Sequence, residues 1–276
     1  MSKIKCDICP HYCNLSNGQV GLCRARSNVD GKVVPINYGL ITSINLDPIE
    51  KKPLRRFSPG KNILSIGSFG CNLKCSFCQN HHISFASKGE VMVDNIGPED
   101  MVKLALKLKG QANIGIAYTY NEPLIGYEYV RDCSILAREN GLKNVLVTNG
   151  CFNEGPMRDL FPYIDAFNID LKGFTNDFYE KIGGNLERVK DFIALAAKYS
   201  HVEVTTLIIP GENDSEEEII ELSDFIASID PNIPLHISRF FPSYKMQDKG
   251  PTQVKVVYDL ANIARKNLKY VYEGNC

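Results

Sequence analysis

The stretch NILSIGSFGCNLKCSFCQN, residues 62–80, carries most of what the chain says about its fold. It opens on an apolar, β-branched run, turns through Gly67 and Gly70, and then sets cysteines at 71, 75 and 78. An apolar run of this length that ends in glycine reads as a buried strand feeding a loop. The loop has the spacing C-x3-C-x2-C and no obvious fourth thiolate nearby. A structural zinc site closes with four ligands, so three fall short of one. A three-cysteine catalytic zinc is chemically possible but unusual. An iron–sulfur cube held by three thiolates makes better sense, because its fourth iron stays open to a small molecule.

The same grammar repeats downstream. The runs IGIAYTY, NVLVTNG, AFNIDLKG, VEVTTLIIPG, PLHISRF and KYVYEG are each β-rich and end in polar or glycine residues. Helix-like segments separate them. One starts at Pro98 with Glu99 and Asp100 in its first turn, and another at Asp214 and Ser215 ahead of Glu216, Glu217 and Glu218. Acidic first turns suit the positive end of a helix dipole. Leu186, Val189, Phe192, Ile193, Ala196 and Ala197 fall at helical spacing. Strand–helix alternation predicts a parallel sheet covered by helices, an α/β protein. Six or seven such units predict a partial (β/α)6 barrel, TIM-like and open. Its chemistry belongs at the C-terminal ends of the strands.

The cysteine loop resembles that of the radical S-adenosylmethionine (SAM) superfamily. In that superfamily the three cysteines hold a [4Fe–4S] cluster whose open iron chelates SAM. Reductive cleavage then gives a 5′-deoxyadenosyl radical that abstracts hydrogen from a substrate. The resemblance assigns Cys71, Cys75 and Cys78 to the cluster and Phe77 to the adenine side. YTYNEP (118–123) stands where relatives have a glycine-glycine-glutamate-proline stretch at the methionine amino group. Tyr120, Asn121 and Glu122 are therefore SAM candidates, with Asn121 replacing a glycine. VTNG and IDLKG resemble strand ends of pyruvate formate-lyase activating enzymes, implying Thr148 and Asn149 near the ribose and Asp170 and Lys172 near the carboxylate. Val147 stands where those enzymes carry an aspartate of a monovalent-cation site. PLHISRF implies His236 near SAM. Taken one at a time, Glu122 could merely start a helix, Asp170 and Lys172 could be an ordinary pair, and His236 could be a core histidine.

A closer resemblance joins DPIEKKPLRRFSPG (47–60), GCNLKCSFCQN, TTLIIPGENDSEEE (205–218) and HISRFFPSYKM (236–246). Together these are similar to the radical SAM enzymes of the AmmeMemoRadiSam system. That family implies an AMMECR-like or Memo-like protein partner, or a small-molecule substrate, and an electron donor such as flavodoxin or ferredoxin. Two departures matter. His81 and His82 replace an aromatic–acidic pair, and the chain stops at Cys276. Both mark possible substrate contacts, as does Cys151 directly after VTNG, where a thiol at the catalytic mouth would be a hydrogen-atom donor. For Cys151 and Cys276 a small buried or incidental cysteine is the plainer reading.

The N-terminal segment CDICPHYCNLSNGQVGLC sets Cys6, Cys9, Cys13 and Cys23 as C-x2-C-x3-C-x9-C. Four thiolates suit a closed zinc site or a second iron–sulfur cluster, and the spacing matches no standard zinc ribbon. Residues 1–60 are expected to form this Cys-rich appendage with a β-rich segment, and 61–276 the barrel. The basic run Lys51, Lys52, Arg55 and Arg56 reads as a solvated face or an attractor of anionic substrate.

Clustered thiols without an apolar leader predict a reducing, cytoplasmic setting. The net charge of -1 speaks against nucleic acid, and no apolar run is long enough for a membrane span. Three functions remain in view: a radical SAM enzyme on an unidentified substrate, an activating enzyme for a glycyl-radical partner, and a non-catalytic metal-binding scaffold.

Overall fold

The structure, a computed structural model, describes residues 3–276. Its centre is an eight-stranded sheet. In chain order the strands are β1 (Ser43–Pro48), β2 (Asn62–Gly67), β3 (Asn113–Tyr118), β4 (Lys143–Thr148), β5 (Ala166–Asp170), β6 (His201–Ile208), β7 (Leu235–Arg239) and β8 (Val271–Gly274). They lie side by side in sequence order. β2 through β8 run parallel, and β1 closes one edge antiparallel to β2. β1 and β8 do not pair with each other, so the barrel is partial, as expected, with seven parallel strands.

Helices return the chain between parallel strands: α1 (Pro98–Lys107), α2 (Tyr127–Glu139), α3 (Leu186–Ala196), α4 (Glu216–Ile229) and α5 (Val254–Ala264). The start signals act as read. Pro98 opens α1, and the Ser215 hydroxyl accepts the Glu218 N–H to cap α4. Among these crossovers only β4 to β5 lacks a full helix, using instead the short turns Glu154–Met157 and Phe161–Tyr163.

Alternation along each strand divides the core. Outward residues such as Leu64, Ile116, Leu146, Ile169, Val204 and Leu235 pack beneath the helices. Inward residues form a second, smaller cluster. Ile63, Ala117, Val145 and Ala166 meet Ile49 and Leu54 from the 49–60 segment and plug the N-terminal end of the barrel. Above this plug the interior turns polar. Glu203 is fully buried, and its carboxylate accepts from the N–H groups of Arg55 (3.0 Å) and Arg56 (2.8 Å) and pairs with His201 (2.9 Å) and His236 (2.6 Å). The basic run therefore belongs to the closed end of the barrel. Arg56 lies over the Tyr270 ring, and Lys52 is buried against Asp47 at 2.9 Å.

The N-terminal segment packs as two small hairpins, Ile4–Lys5 with Asn14–Leu15 and Arg26–Val29 with Lys32–Pro35. It seats on the loop after β2. His11 Nε2 lies 2.7 Å from the Asn72 carbonyl oxygen, and the Asn153 N–H donates to the Ile8 carbonyl. No helix among the described residues is long and apolar enough to cross a membrane.

Candidate functional site

At the C-terminal ends of the strands lies a cavity of about 290 Å³. Cys71, Cys75 and Cys78 line it together with Phe77, Tyr120, Asn121, Glu122, Thr148, Asn149, Asp170 and Lys172. Seven strand ends or the loops just beyond them thus contribute to one chamber, since Thr205 and Leu207 come from β6, Ser238 from β7 and Asn275 from the end of β8.

The cysteine loop is held from below. Gly70 has φ of +90°, and a methyl group there would lie 2.5 Å from the Cys23 carbonyl oxygen, so only glycine fits the turn. The Leu73 N–H donates to Cys71 Sγ at 3.4 Å, and Asn149 Nδ2 approaches the same sulfur at 3.7 Å. Burial pushes the Cys71 thiol well above its ordinary range, with the nearby Glu122 charge adding to it. Burial likewise pushes Cys75 up to about 11, although Lys172 works against it. Ligation by a metal would deprotonate these thiols outright. No group of three His, Cys, Asp or Glu among the described residues is arranged to hold a single metal ion. Three thiols on one chamber fall one short of a closed four-ligand zinc site and suit a cluster with one iron left open.

Polar side chains lock the neighbouring strand ends to this loop. Asn121 accepts the Ser68 N–H at 2.8 Å and donates to the Gly70 carbonyl at 3.1 Å. The Glu122 carboxylate accepts from the Thr148 hydroxyl (2.8 Å), the Asn149 N–H (2.8 Å) and the Leu124 N–H (3.0 Å). Burial nevertheless raises Glu122 to about 7. Asn149 Nδ2 donates to Asn72 Oδ1 at 2.8 Å. Glu122 does start the short helix Pro123–Gly126, as the plain reading of NEP supposed, while also facing the cavity. Thr148 and Asn149 reach the cavity too, with hydrogen bonds already committed to Glu122 and Asn72.

Tyr120 sits in left-handed backbone, φ +70°, which a bulky residue rarely adopts. It is pinned on three sides. Its hydroxyl donates to Asp47 at 2.8 Å and accepts from Asn45 at 3.1 Å, and its carbonyl accepts from Asn80 at 2.7 Å. Across the chamber Lys172 Nζ lies 2.9 Å from Asp170. Burial lowers the Lys172 pKa, but Asp170, Cys75 and Cys78 outweigh it and the ammonium is held well above its ordinary value. A fixed cation therefore faces two of the three thiols. Phe77, packed beside Phe178 at 6.2 Å, gives the chamber an apolar wall.

Several sequence candidates lie elsewhere. His236 is opposite Thr205 in register, yet it is not in the cavity lining; its ring is bound to Glu203 in the barrel interior. Cys151 does not line the mouth either. It is buried, with Sγ 4.0 Å from the Asn185 carbonyl, because the chain after Gly150 turns down against the N-terminal segment. His81 and His82 sit on the helix His81–Ser84 outside the lining, with His81 stacked on Tyr244 at 4.6 Å and His82 exposed. Cys276 is exposed, and its neighbour Asn275 is the residue that reaches the cavity. Asn72, Asn80 and Ser84 were missed by sequence reasoning, because a lone Asn or Ser in a loop carries no pattern.

Comparison with known proteins matches residues 65–223 to the model of the radical SAM superfamily. The chain belongs to the radical SAM superfamily. An uncharacterized protein of Methanocaldococcus jannaschii is 40% identical over 99% of this chain and 82% of its own. The pyruvate formate-lyase-activating enzyme of Staphylococcus epidermidis is 28% identical over 58% of this chain and 67% of its own. Among solved structures, Streptococcus suis SuiB bound to S-adenosylmethionine aligns with a TM-score of 0.60 at 15% identity. That alignment covers 78% of this chain and 52% of SuiB, and it speaks to the fold. As a radical SAM protein the chain has a [4Fe–4S] cluster and SAM as its cofactors.

Proposed function

We propose that this chain is an enzyme that cleaves SAM reductively and uses the resulting 5′-deoxyadenosyl radical to abstract hydrogen from a substrate yet to be identified. The observation that carries the reading is the convergence of Cys71, Cys75 and Cys78 with Glu122, Asn149, Asp170 and Lys172 on one cavity. Cys71, Cys75 and Cys78 would hold the cluster. Such a cluster, with one iron left for SAM, would supply the electron that breaks the sulfonium bond.

The protein's own part is placement and exclusion. Lys172 offsets the charge of Cys75 and Cys78 and, with Asp170, offers a polar edge to the methionine carboxylate and ammonium. Glu122, Thr148, Asn149 and Asn121 act chiefly as a brace that fixes the cysteine loop against β3 and β4, so the chamber keeps its shape before SAM arrives. Phe77, Leu73, Val147 and Leu207 provide apolar walls that limit water around a radical.

The similarity to a protein named pyruvate formate-lyase-activating enzyme favours a second reading of the target, a glycyl residue on a partner protein. Within either reading, assignment to the AmmeMemoRadiSam system, its AMMECR-like or Memo-like partners, a flavodoxin or ferredoxin donor and a cytoplasmic setting belong to the same proposal. Anaerobic reconstitution tests it. Reduced protein should form 5′-deoxyadenosine from SAM, and Cys71→Ala, Cys75→Ala and Cys78→Ala should each abolish this. A fully reconstituted protein that leaves SAM intact would sink the reading.

A further inference from the structure

We infer that Ser243 and Tyr244, on the loop after β7, and His81, on the short helix after the cysteine loop, are positioning residues for Cys78, and that together they latch the loop after β7 as a lid over the open seam of the barrel. The role given to Cys78 rests on the proposed cluster. The latch itself rests on contacts within the chain.

The seam arises because β1 and β8 do not pair. Cys78, Gln79, Asn80 and Ser84 line the cavity on one side of it, and Ser238 and Asn275 on the other. The loop after β7 crosses between the two sides, and its foot is fixed. The Thr252 N–H donates to the Phe240 carbonyl at 3.2 Å. The Thr252 hydroxyl accepts the Phe240 N–H at 3.4 Å and donates to the Ile208 carbonyl at 2.6 Å. Arg239 Nε donates to the Thr252 carbonyl at 2.7 Å. Phe240 and Thr252 are buried, so the two ends of the loop meet and are held, as in an Ω-loop. Between them Phe241, Pro242, Lys245, Gln247, Asp248 and Gly250 are exposed. A segment with fixed ends and a solvated middle opens more readily than the core beneath it.

The tip of the loop lands on the cysteine loop. The Lys245 N–H donates to the Ser76 carbonyl at 2.9 Å, and the Ser243 hydroxyl donates to the Cys78 carbonyl at 3.3 Å. His81 Nδ1 lies 3.2 Å from that same Cys78 oxygen. A carbonyl oxygen only accepts, and it has two lone pairs, so His81 Nδ1–H and the Ser243 hydroxyl fill both. Cys78 is thus gripped from its own side of the seam and from across it. The Tyr244 ring stacks on His81 at 4.6 Å and leans on Phe85 at 5.2 Å. Arg24, from the N-terminal segment, lies over the Phe85 ring at 5.5 Å.

A second, independent observation is the backbone of Tyr244. It stands at φ +51° in the turn closed by the Met246 N–H on the Ser243 carbonyl. Glycine takes that conformation freely, whereas a tyrosine is strained in it. Strain of this kind persists only where the surroundings hold it. Here His81 and Phe85 hold it. Glycine would make the turn and leave the latch empty, so the chain accepts a strained backbone in exchange for a ring on His81. Closed, the lid covers the seam and fixes the Cys78 backbone. Open, it uncovers the seam and leaves the Cys78 carbonyl with His81 alone.

Two rates on the reconstituted protein, both without SAM, test this. Hydrogen exchange followed by mass spectrometry reads the latch, and iron transfer to a chelator reads the hold on Cys78. Tyr244→Gly keeps the turn, so its Tm should match wild type. Its exchange over 243–248 should nevertheless quicken at least about tenfold, while the foot at Phe240 and Thr252 exchanges as before. Iron release should quicken about threefold to tenfold in Tyr244→Gly and in Ser243→Ala, which removes one hydroxyl, and Tyr244→Phe should behave as wild type in both rates. Should Tyr244→Gly fail to fold, Ser243→Ala decides by the same two rates. Exchange over 243–248 at the wild-type rate in the variants, or a Tyr244→Phe protein as fast as Tyr244→Gly, would overturn the latch. Quickened exchange with unchanged iron release would overturn the positioning of Cys78. Rates that quicken only in step with a lower Tm would overturn both, since a general loss of stability would then account for them. A chain that takes up no iron would sink the SAM-cleavage reading and leave exchange to decide the latch. A chain that cleaves SAM while 243–248 exchanges freely would do the reverse.

Discussion

Replacing Glu203 by Gln should weaken the closed end of the barrel without touching the cavity. The carboxylate is fully buried, and burial alone would raise its pKa. Its partners outweigh that: His201, His236 and the N–H groups of Arg55 and Arg56 bring it down to about 2, against 4.5 for a free glutamate. At about 1.4 kcal/mol for each tenfold in proton affinity, the difference amounts to about 3 kcal/mol favouring the folded anion. Because the folded value lies below the free one, this contribution is complete above about pH 4.5 and is lost as pH falls through about 2. Gln keeps one acceptor oxygen but sets an NH2 group against N–H donors, so most of the stabilisation goes. Unfolding entropy of about 2.1 cal/mol/K per residue, over 276 residues, converts the loss to a fall of about 5 °C in Tm at neutral pH. Thermal denaturation followed by circular dichroism reads this directly. Asp100→Asn, which removes an exposed pair with Lys103, is the control and should stay within about 1 °C. A Glu203→Gln protein melting within 1 °C of wild type would refute the reasoning, because the carboxylate would then not be held as an anion.

Two further outcomes follow from the site. Gly70→Ala forces a side chain into left-handed backbone and against the Cys23 carbonyl, so it should cost about 1–3 kcal/mol, about 2–5 °C in Tm, and lower the iron retained per chain. Lys172→Met leaves Asp170 unpaired and removes the cation facing Cys75 and Cys78, so calorimetry on the reconstituted protein should show the Kd for SAM rising by at least about tenfold, or about 1.4 kcal/mol, with Lys172→Arg intermediate.

The barrel was legible because its strands carry two signals at once, apolar runs and terminal polar residues, and both recur in phase. The cysteine loop was legible for a related reason, since three thiols at fixed short spacing in one loop point to a shared metal centre. Depth along a strand was not. His236 and Ser238 share a face of β7, yet only Ser238 reaches the cavity, because a buried acid two strand positions below Thr205 captures the imidazole. Nothing local to PLHISRF reveals Glu203. Cys151 misled in a similar way, since a residue just past a strand end can turn down toward the N-terminal segment as readily as toward substrate. Asn121 illustrates the opposite case. Replacement of a glycine looked like a departure, and the side chain turns out to tie the loop after β3 to Ser68 and Gly70.

The central claim is that SAM binds the open iron of a cluster held by Cys71, Cys75 and Cys78. Electron–nuclear double resonance on the reduced protein with SAM labelled by 15N at its amino group tests it most directly. The account predicts a nitrogen hyperfine coupling to the cluster that disappears in the Cys71→Ala variant. A reduced cluster with SAM bound and no such coupling would contradict it.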